Sequence, residues 1–206
     1  NAYVRTFPIT VTDGALNIRF TVRTDAPKVN AIRVTSLNVP TSTPTRTQTP
    51  AGPTSTRTLT PTPTVTRTVT PTGSATPTVS LAWRVNCAGP QLTDSAGAVW
   101  AADKPFYTGS WGYVSGLPHA VSNAIANTDA DVIYQTERWW REGGGYRFEV
   151  PNGEYDVILK FAEIYPPAGE ETRVFSVVVE GVTVISRRPS GATEAPISMV
   201  PSGREY

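Results

Sequence analysis

Apolar and polar positions alternate along the first 36 residues. Phe7, Ile9 and Val11 take every second place, and Leu16, Ile18, Phe20 and Val22 do so again after Asp13-Gly14. A period of two lines up one set of side chains on one face of a sheet. Asp-Gly favours a type I′ turn, so the pattern predicts a hairpin. After a break over residues 23–27, a third short strand is predicted from Lys28 to Val34. Three strands with one apolar face are too few to stand alone and need a partner sheet.

The pattern stops at residue 37. Residues 37–80 hold 17 Thr, 8 Pro and 4 Ser, with no acidic and no aromatic residue. Such a stretch buries too little apolar surface to offset its ordering entropy, and it reads as a linker. Its Thr-Pro pairs favour extended polyproline II backbone, and the composition also resembles O-glycosylated stalks. An unmodified spacer is the equal alternative.

Periodicity returns later. Strands are predicted over Val132–Arg138 and Tyr146–Val150, then a turn at Pro151-Asn152-Gly153. Tyr155, Val157, Leu159, Phe161, Glu163 and Tyr165 share one face of the clearest strand. Phe175, Val177 and Val179 mark another, and Glu180-Gly181 turns it back into Val182–Ile185. Val85 to Thr128 is loop-rich and aperiodic, and residues 187–206 show no strand pattern. Gly143-Gly144-Gly145 lacks the strand-turn-helix context of a phosphate loop and reads as a hairpin connection. Short strands between Gly/Pro turns, with no helical period over ten residues, predict an all-β sandwich.

Charge and rare residues narrow the chemistry. Net charge is +1, and the linker alone holds Arg46, Arg57 and Arg67, so the rest is mildly acidic. The basic footprint of a nucleic-acid binder is absent. No apolar run approaches the roughly 18 residues of a membrane span, so no membrane insertion is expected. The chain opens on Asn1 without a signal peptide and reads as a fragment of something longer. One Cys and one His exclude an internal disulfide and a Cys-rich zinc site. The one conceivable Cys/His pair, Cys87 with His119, is not favoured, and His119 reads as an exposed loop residue without a role.

Five segments in order carry a resemblance to a known family. They are Val85-Asn86-Cys87-Ala88-Gly89-Pro90, Trp100-Ala101-Ala102-Asp103, Ile133-Tyr134-Gln135-Thr136-Glu137-Arg138-Trp139, Leu159-Lys160-Phe161-Ala162-Glu163-Ile164-Tyr165 and Arg173-Val174-Phe175-Ser176-Val177. Residues 83–186 thereby resemble the N-terminal part of a malectin domain, a carbohydrate-binding β-sandwich also found in bacterial secreted proteins. Thr12 to Ile18 and Asp25 to Ile32 resemble the C-terminal end of the same family. The resemblance implies a jelly-roll, galactose-binding-like sandwich. Three parts follow: residues 1–36 as the tail of one malectin-like domain, 37–80 as linker, and 81–206 as the head of a second. The simplest account is a window across a tandem array. The complementary halves also suggest that the tail fills the following head in permuted order, within one chain or by exchange between two copies. A flexible 44-residue coil reaches about 35–40 Å, enough to span a small sandwich.

A sugar ring offers an apolar face to aromatic side chains and a rim of hydroxyls to carboxylates and amides. Carried over residue by residue, the family's binding face falls on Trp139, Tyr165, Tyr113 or Trp111, and Asp25. Trp139 replaces a Tyr of the family, and Pro166 replaces a second aromatic. Trp140 is expected to face away from Trp139, and Trp111 to sit at an exposed loop tip. Glu163, on an apolar face, needs a buried partner, with Arg138 or Arg173 as candidates. Glu137 and Glu163 as a glycosidase-like pair, and Asp129 with Asp131 as calcium ligands, are the weaker readings. The expectation is non-catalytic binding of an oligosaccharide or polysaccharide, glucose-type and α-linked, by a secreted or cell-surface module without cofactor or metal. The alternative is a structural or protein-interaction bead in an adhesin or scaffold array.

Overall fold

The computed structural model describes residues 1–37, 81–165 and 174–186. The expected linker from residue 38 on, Pro166, Arg173 and residues 187–206 lie outside that set. The strands are β1 (Ala2–Val11), β2 (Ala15–Val22), β3 (Lys28–Val29), β4 (Ala31–Ser36), β5 (Ala82–Asn86), β6 (Leu92–Thr93), β7 (Val99–Ala102), β8 (Trp111–Tyr113), β9 (Leu117–Ala120), β10 (Thr136–Trp139), β11 (Gly144–Glu149), β12 (Gly153–Ala162), β13 (Phe175–Val179) and β14 (Val182–Ile185). Among the described residues the one helical element is a 3₁₀ turn, Asp131–Ile133. The fold is an all-β sandwich, as the pattern predicts.

Two sheets enclose the main core. One has the order β1-β12-β4-β5-β7-β6 and the other β14-β13-β2-β11-β8. A third, small sheet has the order β3-β10-β9. Two of the strands before residue 37 take interior places, while β1 and β3 sit at sheet edges. β4 lies between β12 and β5, and β2 between β13 and β11. β1 pairs with β12 along its whole length, from Ala2↔Ala162 to Val11↔Gly153. Ile9, Val11, Leu16, Ile18, Phe20, Ile32 and Val34 enter the same core as Val85, Tyr146, Phe148, Leu159, Phe161 and Val177. The first 37 residues and the region after residue 80 thus form one hydrophobic core.

The predicted hairpin at Asp13-Gly14 is a correction. β1 and β2 do not pair, because the turn carries the chain from one sheet to the other across the core. Gly14 still needs its left-handed backbone, with φ of +80°. The Pro151-Asn152-Gly153 turn makes the same crossing between β11 and β12. Asn152 ties the two corners together: its Oδ1 accepts from Gly14 N at 2.8 Å, and its Nδ2 donates to Thr12 O at 2.8 Å. The glycine run is a second correction. Gly144 and Gly145 belong to β11, where a side chain on Gly145 would run into the Ile18 carbonyl, and one on Gly144 into Trp140. The strand predicted over Val132–Arg138 is instead the 3₁₀ turn followed by β10. The Glu180-Gly181 turn joins β13 to β14 as expected, with both residues at positive φ.

Cys87 follows β5 and is fully buried, and its backbone N–H donates to Asn30 O at 2.9 Å. Burial pushes its thiol well above the usual range. Asn30 interrupts the strand predicted over Lys28–Val34. Its side chain donates to Tyr134 O (2.8 Å) and Thr136 O (2.9 Å) and accepts from Ala162 N (2.7 Å). One fully buried amide thereby pins the front strands to two distant parts of the chain.

Candidate functional site

The small sheet sets the geometry. β10 pairs antiparallel with β3, matching Trp139↔Lys28 and Arg138↔Val29, and with β9, matching Trp139↔Leu117 and Glu137↔His119. Residues opposite one another share a face, and successive residues alternate. Trp139, Lys28, Leu117, Glu137 and His119 therefore occupy one face, and Arg138 the other.

Beneath that face lies a buried ion cluster. Lys28 Nζ is 2.8 Å from Glu137 Oε2 and 2.9 Å from Glu163 Oε1, and all three side chains are at most 2% exposed. A charge this deep persists only when paired. Of the expected arginine partners of Glu163, Arg138 is a correction, since it pairs with Asp103 and a cation beside Glu163 is Lys28, 135 residues away in sequence; Arg173 lies outside the described residues. Glu137 and Glu163 share one ammonium in the interior, so they do not form the open carboxylate pair that glycoside chemistry uses.

Two aromatic residues adjoin the cluster, Tyr165 through Glu163 and Trp139 as the cross-strand partner of Lys28. Tyr165 is 45% exposed, and its backbone N–H donates to the same Glu163 Oε1 at 2.9 Å. Trp139 is half-buried, with the Arg141 guanidinium 5.8 Å from its ring centre. Trp140 turns the other way into the core, as expected, and stacks on Phe20 at 4.7 Å. His119 departs from its reading as an exposed loop residue. It lies on β9, half-buried, with its ring edge-on to Tyr165 at 5.7 Å. Its Nε2 is buried and makes no hydrogen bond among the described residues.

The other expected site residues lie elsewhere. Trp111 starts β8 rather than tipping a loop; it stacks on Phe148 at 6.0 Å under the Lys104 ammonium. Tyr113 packs beneath the Arg138 guanidinium, 3.4 Å from its ring centre. Burial opposes the Arg138 charge, but Asp103 at 2.7 Å outweighs it and leaves the guanidinium pKa raised. Tyr146 donates to the same Asp103 oxygen at 2.9 Å. Both Trp111 and Tyr113 also pack against the main core. Asp25 is half-buried in the β2–β3 loop, and its Oδ1 accepts from Ala26 N at 2.6 Å. Two residues on, Pro27 O accepts from Trp140 N at 3.0 Å, which brings this loop to the end of β10. Asp131 uses its carboxylate to accept from Ile125 N at 3.2 Å. No group of three metal-ligating side chains occurs among the described residues.

Lys28 and His119 are the members that sequence reading missed. Alternation placed Lys28 on a strand, but its carboxylate partners lie more than a hundred residues away. Only the pairing of β9 with β10 places His119 beside Glu137.

Residues 81–187, just over half of the chain, match the family model for the malectin domain. The chain belongs to the malectin domain family. Malectin-B of Xenopus laevis is 34% identical over 104 residues, covering 50% of this chain and 37% of that protein. Malectin of Homo sapiens is 34% identical over 109 residues, covering 52% of this chain and 36% of that protein. The chain thus spans little more than a third of the curated relatives it matches. No solved structure matches it. The malectin match includes β10, Trp139, Glu163 and Tyr165. It leaves out β1 to β4, although β2 and β4 lie inside the sheets. Lys28 and Asp25 also lie outside the matched region.

Proposed function

We propose that this malectin domain binds an oligosaccharide or polysaccharide without catalysing a reaction on it. The single observation behind this reading is that an exposed Tyr165 and a partly exposed Trp139 each adjoin the buried Lys28 cluster. Solvent-accessible aromatic rings suit the apolar face of a sugar, and Asp25 in the β2–β3 loop suits its hydroxyls. Family resemblance points to α-linked, glucose-type ligands, with the domain a module of a larger secreted or cell-surface protein. Thr/Pro-rich composition over residues 37–80 fits that setting.

Affinity electrophoresis on immobilised maltotriose, an α-linked glucose trisaccharide, tests the site. Trp139→Ala and Tyr165→Ala are each expected to weaken retention about tenfold, the size of one ring stacking contribution of roughly 1.4 kcal/mol. Trp111→Ala is expected to change it little. Unchanged retention in both ring variants sinks the proposed site. The rival reading, a structural or protein-interaction bead, draws support from Trp111 and Tyr113, which pack partly buried against the core. The same gel separates the two readings.

The front strands are proposed to close the domain within one copy rather than by exchange between two. Cleavage between residues 38 and 80 followed by gel filtration is expected to leave both pieces eluting together at the mass of a single chain. Elution at twice that mass would favour exchange, and separation of the pieces would end the docking idea.

A further inference from the structure

The buried cluster ties the proposed site to the seating of the front segment. We infer that Lys28 is a positioning residue, through which glycan binding and the docking of residues 1–37 become one linked equilibrium. The inference rests on the carbohydrate-binding reading above.

Both ring carriers hang on Lys28. Glu137 precedes Trp139 by two residues on the same face of β10, and Glu163 precedes Tyr165 by two. One carboxylate oxygen, Glu163 Oε1, takes both the Lys28 ammonium at 2.9 Å and the Tyr165 N–H at 2.9 Å. Glu137 meets the same ammonium at 2.8 Å and lies opposite His119, whose ring abuts Tyr165. The cation itself comes from β3, on the far side of the linker. Lys28 is also the cross-strand partner of Trp139.

Undocking the segment would therefore leave two carboxylates buried without their shared cation. Losing the ammonium that both buried carboxylates share is strongly unfavourable, so the ends of β10 and β12 cannot keep their docked arrangement. The two rings would lose their common support. A ligand that needs both rings in place then binds the docked state better than the undocked one. Linkage works in both directions, so bound glycan holds the segment down by the factor 1 + [L]/Kd.

Hydrogen exchange and calorimetry on the full chain, with maltotriose as probe, test this. At maltotriose ten times its Kd, exchange of the β4 amides through opening of the front segment is expected to slow about tenfold. Lys28→Met is expected to weaken maltotriose binding at least tenfold in protein that circular dichroism shows to be folded. Lys28→Arg keeps the cation and recovers part of the affinity. Ile32→Val loosens the same segment away from the site and leaves affinity within about twofold, which separates positioning from stability. Should Lys28→Met not fold, the neutral triple variant Lys28→Met, Glu137→Gln, Glu163→Gln removes the buried charges together and is expected to fold with the same loss of affinity. Wild-type affinity in folded Lys28→Met or in the triple variant overturns the inference and leaves the binding reading standing. So does maltotriose binding without slower exchange in β4. Failure of the wild-type chain to bind maltotriose overturns both.

Discussion

The first 37 residues and the 29 from Leu92 to Ala120 are opposite in construction. The front segment sets β2 and β4 inside the two main sheets and lays β1 along the edge beside β12, with its apolar face in the core and its anchors far away in sequence. Asn30 reaches Tyr134, Thr136 and Ala162, and Lys28 reaches Glu137 and Glu163. The second stretch is four strands of two to four residues, three of them at sheet edges. Much of it is held by its own turns. Asp94 accepts from Ala96 N, Ala98 N and the Trp100 indole, and Lys104 donates to Ser110. A segment without internal sheet pairing is thus the more central to the fold. Interior strand position confers that role, whatever a segment's place in the sequence.

The sharpest way to break this comparison is removal. A chain cut to residues 81–206 leaves β12 without β1 and β4, and β11 and β13 without β2. It is expected not to fold, with collapsed amide dispersion in its NMR spectrum; a dispersed spectrum would show that the front strands are accessory. Substitution gives the next effect. Phe20 is fully buried between Trp140 and Phe175, at 4.7 and 6.5 Å. Phe20→Ala should cost about 3–5 kcal/mol by denaturant unfolding. Val182→Ala, at a position 60% exposed on edge strand β14, should stay within about 0.5 kcal/mol.

Asn30→Ala follows, at about 2–4 kcal/mol, because three buried backbone groups lose their partner together. A cost no larger than that of an exposed Asn would show that water replaces the amide.

The smallest effect lies in the second region and depends on pH. The Trp100 indole N–H and the Ala98 N–H hold the Asp94 carboxyl below its ordinary value of 3.8. A depressed folded-state value stabilises the fold above the unfolded value, and that contribution disappears as pH falls through the folded one. The stability gap between wild type and Asp94→Asn is therefore expected to be full at neutral pH and to close below pH 3.8. Urea midpoints taken from pH 7 to pH 2 check this, and a constant gap would assign it to packing.

Alternation made β1, β2, β12 and β13 legible, because each is long enough to show a period and has one buried face. It does not say whether consecutive strands pair or face one another across a core. Asp13-Gly14 signals a turn in either case, and the Asn152 clasp that makes it a corner comes from 138 residues away. Strands such as β6 and β8 are too short to carry any period, so Trp111 read as loop. Of the proposed site, Trp139, Tyr165 and Asp25 are read from the family resemblance. The ion cluster is not, since nothing local joins Lys28 to its carboxylates, and nearby arginines offered a more obvious pairing.

Cys87 turns this architecture into a clock. It carries the one sulfhydryl of the sequence, sealed in the core and bonded through its backbone to Asn30 of the front segment. A thiol-specific reagent can reach that sulfur only after the seal opens. Its rate of labelling then counts departures of the front segment one molecule at a time, on a native side chain and without any engineered probe.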